Sequence, residues 1–264
     1  MALAALLLLT ASVAAMAFSI DELIFPTHAV SAPGPLPPGA KRISIDAAGG
    51  AELHGVHIPP ASKSRGRGTL VIGFGGNAWN GEDVGSYLHE SFPDADVVAF
   101  HYRGYRPSTG SPSADALVSD APFVLETAME QVKAKRVVVV VFSIGTGIAA
   151  SLAKSGKVDG MILVTPFDSL KSVAQDLYPF VPGIGLLFRH ELDSAGFLKG
   201  SKVPVAIVAA ERDQIILPRR TDSLRARVPN LVYDRTIAGA GHNDIYAISD
   251  FQQAMDEAFE AVTA

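Results

Sequence analysis

Val137 to Ala150 reads VVVVVFSIGTGIAA, and the fold turns on how this stretch is placed. Five valines and a phenylalanine form a continuous apolar run of strand length, which suits a strand covered on both faces. Small residues follow Ser143 at once, as at the start of a closely packed helix. A strand, a sharp turn bearing a serine and a helix are the context of the G-x-S-x-G nucleophile motif. This chain supplies Val141-Phe142-Ser143-Ile144-Gly145, with only the second glycine in place. The competing account is a serine that caps the following helix.

Working outward, further apolar runs predict strands at Thr69–Phe74, Asp96–His101, Met161–Thr165, Pro204–Ala209 and Leu231–Ile237. Lys41–Asp46 and Glu52–Ile58 read as a hairpin joined through Ala-Ala-Gly-Gly. Helical patterns lie at Gly81–Ser91, Ser113–Lys133, Gly145–Lys154, Pro218–Val228 and Asp250–Val262. Strands alternating with helices imply a mostly parallel sheet with helices on both faces, an α/β fold. Ligands in such sheets sit beyond the carboxyl ends of the strands.

Three of those ends carry useful side chains. Ser143 follows one, Glu211-Arg212-Asp213 another, and Gly239-Ala240-Gly241-His242-Asn243-Asp244 the last. The order Ser, Asp, His suits nucleophilic catalysis. A serine hydroxyl is a weak nucleophile until an imidazole takes its proton, and a carboxylate fixes the imidazole tautomer. Asp168, at the end of the preceding strand, is a rival for the acid. His54 and His57 are too oddly spaced to share a strand face as metal ligands. Gly73–Ala78 fits G-x-G-x-x-A, but the next strand ends Ala99-Phe100-His101 without the acidic residue that would hold a ribose.

Composition narrows the classes. Of 264 residues, 48% are hydrophobic and 19% charged, a globular balance that can build one large core. A net charge of −5 gives no basic footprint for nucleic acid, and with no cysteine the chain has neither disulfide nor thiol nucleophile. Met1 to Ile20 holds no charged side chain and is long enough to cross a bilayer. We read residues 1–20 as a single-pass membrane anchor, 21–40 as a proline-rich linker and 41–264 as the globular domain. The alternative for the first segment is a signal peptide cleaved after Ala15-Met16-Ala17, releasing a secreted or periplasmic protein.

Beyond these patterns, the sequence resembles the alpha/beta-hydrolase fold superfamily, in particular its membrane-anchored ABHD-type serine hydrolases. The resemblance runs from Glu22 to the C-terminus. It is carried by Glu22-Leu23-Ile24-Phe25-Pro26-Thr27, Tyr102-Arg103-Gly104-Tyr105 with Gly110-Ser111-Pro112-Ser113, Thr165-Pro166-Phe167-Asp168-Ser169-Leu170, the Glu211–Asp213 turn and Gly239–Asp244. It implies Ser143 as nucleophile, Asp213 as acid and His242 as base, with the backbone N–H groups of Asn77 and Ile144 as oxyanion donors. It implies an acyl ester or thioester substrate, lipid-derived in character, and no metal or organic cofactor. Two departures stand out: Gly75 replaces the family histidine, and Val141 replaces the first motif glycine. They keep open an inactive membrane-tethered interaction module, and the same triad would also serve a peptidase. Leu177–Phe188, broken by prolines and glycines, is placed over the active-site edge as an acyl groove or membrane-facing lip. Fewer than 40 residues between Thr165 and Pro204 leave no room for a large cap domain.

Overall fold

The computed structural model describes Glu22, residues 24–61, 68–180 and 192–264. The anchor expected at Met1–Ile20 lies outside the described residues, as does the part of the expected lip beyond Phe180. Among the described residues no helix is long and apolar enough to cross a membrane.

Among the described residues eight strands form one sheet: β1 Lys41–Ala47, β2 Ala51–Ile58, β3 Thr69–Phe74, β4 Asp96–Phe100, β5 Arg136–Phe142, β6 Gly160–Val164, β7 Val205–Ala210 and β8 Leu231–Ile237. Their order is β1-β2-β4-β3-β5-β6-β7-β8. The β1–β2 and β2–β4 pairs are antiparallel, and every pair from β4 through β8 is parallel. Among the described residues seven helices of α type flank it: α1 Gly81–Ser91, α2 Ala114–Val132, α3 Gly145–Ser151, α4 Leu170–Leu177, α5 Ser194–Leu198, α6 Pro218–Arg225 and α7 Ser249–Thr263.

The valine run owes its character to its position. Val137, Val139 and Val141 enter a core shared with α2 to α6, while Val138, Val140 and Phe142 enter the opposite core with α1 and α7. Consecutive strand side chains point to opposite faces, so a strand covered on both faces must be apolar throughout. Each valine so buried stabilises the fold by up to about 1.5–3 kcal/mol. At the outer edges the pattern changes to alternation. β8 exposes Val232, Asp234 and Thr236 in turn, and β1 begins with exposed Lys41 and Arg42. Charge on an edge strand discourages pairing with another chain.

Caps set the helix starts that matter for the site. Asn80 accepts from the Asp83 N–H at α1, Ser113 from Ala116 at α2, and Ser169 from Ser172 at α4. The proline-rich stretch is laid against the domain. The Gly34 N–H donates to Asp83 at 2.8 Å, and the Asn80 amide to the Ser31 carbonyl at 3.3 Å. Phe25 is buried in the same core as Val137, Val139 and Val141.

Candidate active site

The nucleophile candidate sits where β5 ends. The Ser143 N–H still donates to Val164 on β6 at 3.0 Å, continuing the sheet ladder. The chain then turns abruptly: Ser143 has φ +50°, the left-handed region that a residue with a Cβ enters at a cost of about 1–3 kcal/mol. The Ser143 carbonyl accepts from both the Thr146 N–H at 2.9 Å and the Thr146 hydroxyl at 2.7 Å, which pins α3 to the turn. The motif's remaining glycine is a contact residue. A Cβ on Gly145 would stand 2.8 Å from the Phe74 carbonyl oxygen on the neighbouring strand. Val141, in place of the other glycine, is fully buried between its partners Phe74 and Leu163.

The strained turn aims the Ser143 hydroxyl at His242 rather than back at the helix. Its Oγ lies 3.0 Å from His242 Nε2, and His242 Nδ1 lies 2.7 Å from Asp213 Oδ2. Asp213 and His242 are both buried. The other carboxylate oxygen of Asp213 accepts from the backbone N–H groups of Ile215 at 2.9 Å and Ile216 at 2.7 Å. The carboxylate is therefore fixed in plane, with one oxygen left for the imidazole. The loops bearing the two residues are stitched together. Arg212 N–H donates to the Ala240 carbonyl at 2.7 Å and Gly239 N–H to Glu211 at 2.7 Å, while within the histidine loop Gly241 N–H donates to Asp244 at 2.6 Å.

Asp168 is elsewhere. It is buried, accepts from Ser169 N–H at 2.9 Å and from Arg220 at 3.5 Å, and so ties α4 to α6. Arg220 and Arg219 continue that network to Asp176 at 2.7 Å each. His57 pairs with Asp96 at 2.8 Å, and among the described residues no group of histidines and carboxylates could hold a metal ion.

Asn77 follows β3 and Ile144 follows Ser143, and both border the same cleft as Ser143 and His242. Gly75 has a packing reason to lack a side chain. A Cβ there would come within 2.8 Å of Val84 and 3.3 Å of the Trp79 carbonyl. The cleft measures about 350 Å³ and is walled by Ile24, Trp79, Phe167, Leu170, Ala174 and Ile216 among others. Among the described residues its lining carries no Lys, Arg, Asp or Glu. Under it, Trp79 and Tyr246 pack with Tyr87 and Phe142 at ring separations of 5.0–5.9 Å. Burial, then the neighbouring Tyr87 and Asp213, pushes the Tyr246 phenol well above its ordinary range.

Sequence reading named Ser143, Asp213 and His242, and through the family resemblance Asn77 and Ile144, and all five lie at or beside this cleft. The same reading missed α4 and Ile24. The signal for α4 was present, since Leu170, Val173, Ala174 and Leu177 repeat at i, i+3, i+4 and i+7 behind the cap Ser169.

Comparison with known proteins agrees with this architecture. Residues 70–189 match the sequence model of the alpha/beta hydrolase fold. An uncharacterized protein of Mycobacterium tuberculosis is 28% identical over 220 residues, 80% of this chain and 77% of that protein. The lysophosphatidylserine lipase ABHD12 of Danio rerio is 28% identical over 137 residues, 46% of this chain but only 36% of its own length. Among solved structures, an esterase of Pyrococcus furiosus superposes with a TM-score of 0.70 at 18% identity, covering 88% of this chain and 96% of that one. The chain has the alpha/beta-hydrolase fold, with Ser143, His242 and Asp213 linked in series at the carboxyl ends of its parallel strands.

Proposed function

We propose that this protein is a serine hydrolase that cleaves uncharged acyl esters or thioesters through an acyl-enzyme. The observation that carries the reading is the series Ser143 Oγ, His242 Nε2, His242 Nδ1, Asp213 Oδ2, with steps of 3.0 and 2.7 Å. In this reading neutral His242 takes the Ser143 proton as Oγ attacks the acyl carbon. Asp213 holds the proton on Nδ1, which leaves Nε2 free to accept, and steadies the imidazolium. The backbone N–H groups of Asn77 and Ile144 receive the oxyanion. The imidazolium then protonates the leaving oxygen or sulfur, and the same groups activate water to release the acid. This chemistry requires no metal or organic cofactor.

The cleft supports an acyl chain as substrate. Its volume lies at the small end of ligand sites, and an uncharged, largely apolar wall favours a hydrocarbon chain over a charged group. A lipase and an esterase among the similar proteins favour ester over peptide cleavage. Covalent labelling by a fluorophosphonate probe tests the nucleophile. Wild type should label, and Ser143→Ala should lose both label and turnover while keeping its fold, since one oxygen is removed.

We further read residues 1–20 as a membrane anchor. Apolar side chains exposed near the cleft mouth support it: Leu177 and Ile215 on the wall, and Phe180, which is 94% exposed, two residues beyond Tyr178. The full chain should then stay with membranes through carbonate washing with its N-terminus intact. A soluble protein beginning at Phe18 would replace the anchor by a cleaved signal.

A further inference from the structure

The oxyanion reading raises the question of what holds its Asn77 donor in place, and the inference that follows rests on that reading. The Asn77 N–H belongs to the peptide joining Gly76 to Asn77. Two glycines precede it, and Gly76 has open space where a Cβ would be, so side-chain packing does not fix that peptide plane. Three successive carbonyls are instead engaged. The Tyr102 hydroxyl donates to the Gly75 carbonyl at 2.7 Å, the Trp79 N–H to the Gly76 carbonyl at 3.3 Å, and the Tyr105 hydroxyl to the Asn77 carbonyl. In a trans peptide the N–H and C=O point in opposite directions. Engaging the Gly76 carbonyl therefore sets the heading of the Asn77 N–H, and the flanking bonds stop the plane from turning about its two Cα atoms.

Both tyrosines come from the loop after β4 and are buried, their rings edge to face at 5.5 Å. Burial pushes both phenols above the ordinary tyrosine range, so each keeps its proton. Arg103, between them, is moored by a paired contact with Asp120 on α2 and by the Ala48 carbonyl at 2.8 Å. The loop is thus a rigid mount for two hydroxyls. Phenylalanine would fill the same apolar space, so packing alone gives no reason for the oxygens.

We propose that Tyr102 and Tyr105 are positioning residues that fix the oxyanion donor peptide Gly76–Asn77 by clamping the carbonyls on either side of it.

The test uses the full chain as wild type, Tyr102→Phe, Tyr105→Phe and the double variant. Turnover of a p-nitrophenyl acyl ester is measured beside inhibition by an alkyl boronic acid, which forms a tetrahedral adduct on a nucleophilic serine. Loss of one oxyanion donor costs about 10²–10³ in kcat. A donor left in place but unsteadied should cost less, roughly 5- to 20-fold for each single variant and about 10²-fold for the pair. KM should stay within about twofold, because the ground-state ester makes little use of the donor. The boronate inhibition constant should rise by the same factor as kcat falls. A merely structural role would lower the melting temperature without that split between kcat and KM. The clamp is overturned if the double variant keeps kcat within about threefold of wild type, or if boronate affinity is unmoved. Each hydroxyl holds a different peptide, so either single variant that folds is decisive. Persistent probe labelling in Ser143→Ala would instead defeat the nucleophile reading, whatever the tyrosines do.

Discussion

Exchanging Asp213 for asparagine separates the proposed acid from its rival with a single atom changed. One carboxylate oxygen accepts two backbone N–H groups, from Ile215 and Ile216, and the other faces His242 Nδ1 at 2.7 Å. An asparagine amide has one oxygen and one NH₂. Turning the NH₂ toward two N–H donors would set donor against donor, so the amide oxygen takes that side. The NH₂ then points at Nδ1, which must become an acceptor, and the imidazole proton moves to Nε2. Facing Ser143 Oγ, Nε2 can no longer take the serine proton. A tautomer error of this kind costs about 10⁴ in kcat, or about 5 kcal/mol of barrier. Asp168→Asn disturbs only the Ser169 N–H and Arg220, which keeps its bond to Asp176. It should cost about 1–3 kcal/mol of stability and leave kcat within about threefold. The assay is steady-state hydrolysis of a soluble p-nitrophenyl ester, with thermal melting alongside. Asp213→Asn retaining more than about a hundredth of wild-type kcat, or a larger loss in Asp168→Asn, would refute the tautomer argument and the choice of acid.

Gly145→Ala forces a methyl to within 2.8 Å of the Phe74 carbonyl, so the elbow must shift. It should lower stability by about 1–3 kcal/mol and cost activity beyond what the melting curve explains. Ala174→Trp projects bulk from α4 into the cleft. Hydrolysis of long-chain esters should fall at least tenfold relative to acetate esters, the scale of a lost apolar contact or two, and an unchanged chain-length profile would move the acyl site elsewhere.

How much of this was legible in sequence depends on the distance over which each signal acts. The valine run announced a strand covered on both faces because that demand is local and repeats at every residue. Gly81–Ser91, Thr69–Phe74 and Leu231–Ile237 fell where the pattern put them, since caps and breakers mark them within a few positions. Asp213 and Asp168 could not be separated by spacing alone, because both follow strand ends. What distinguishes them is the pair of N–H groups presented by Ile215 and Ile216 and the position of Arg220, and those are properties of the folded loops. Gly75 departs from the family pattern in sequence, and only the fold shows that Val84 and Trp79 fill the space a side chain would need. The bonds from Tyr102 and Tyr105 cross 27 and 28 residues, and no periodicity reports a partner at that range. α4 is faint in the sequence for a different reason. Its apolar repeat lasts two turns before Tyr178 and Pro179, too short to stand out from the surrounding loop.

The docking of Phe25 and Ile24 acts on the proposed anchor like a shortened leash. A flexible linker running to Ala40 would let the domain drift tens of ångströms from the bilayer. Because Phe25 is buried in the core and Ile24 lines the cleft, only four residue steps separate the docked chain from Ile20, the last residue of the proposed anchor. Four residues reach about 14 Å at full extension. On the proposal that Met1–Ile20 lies in the membrane, the mouth of the cleft would be held within the headgroup layer or just above it. A lipid ester would then need to rise only a short way to meet Ser143, while water-borne esters would arrive from the side. The leash also limits where the chain can be shortened: removal of residues beyond Glu22 would strip one wall residue from the cleft and one ring from the core.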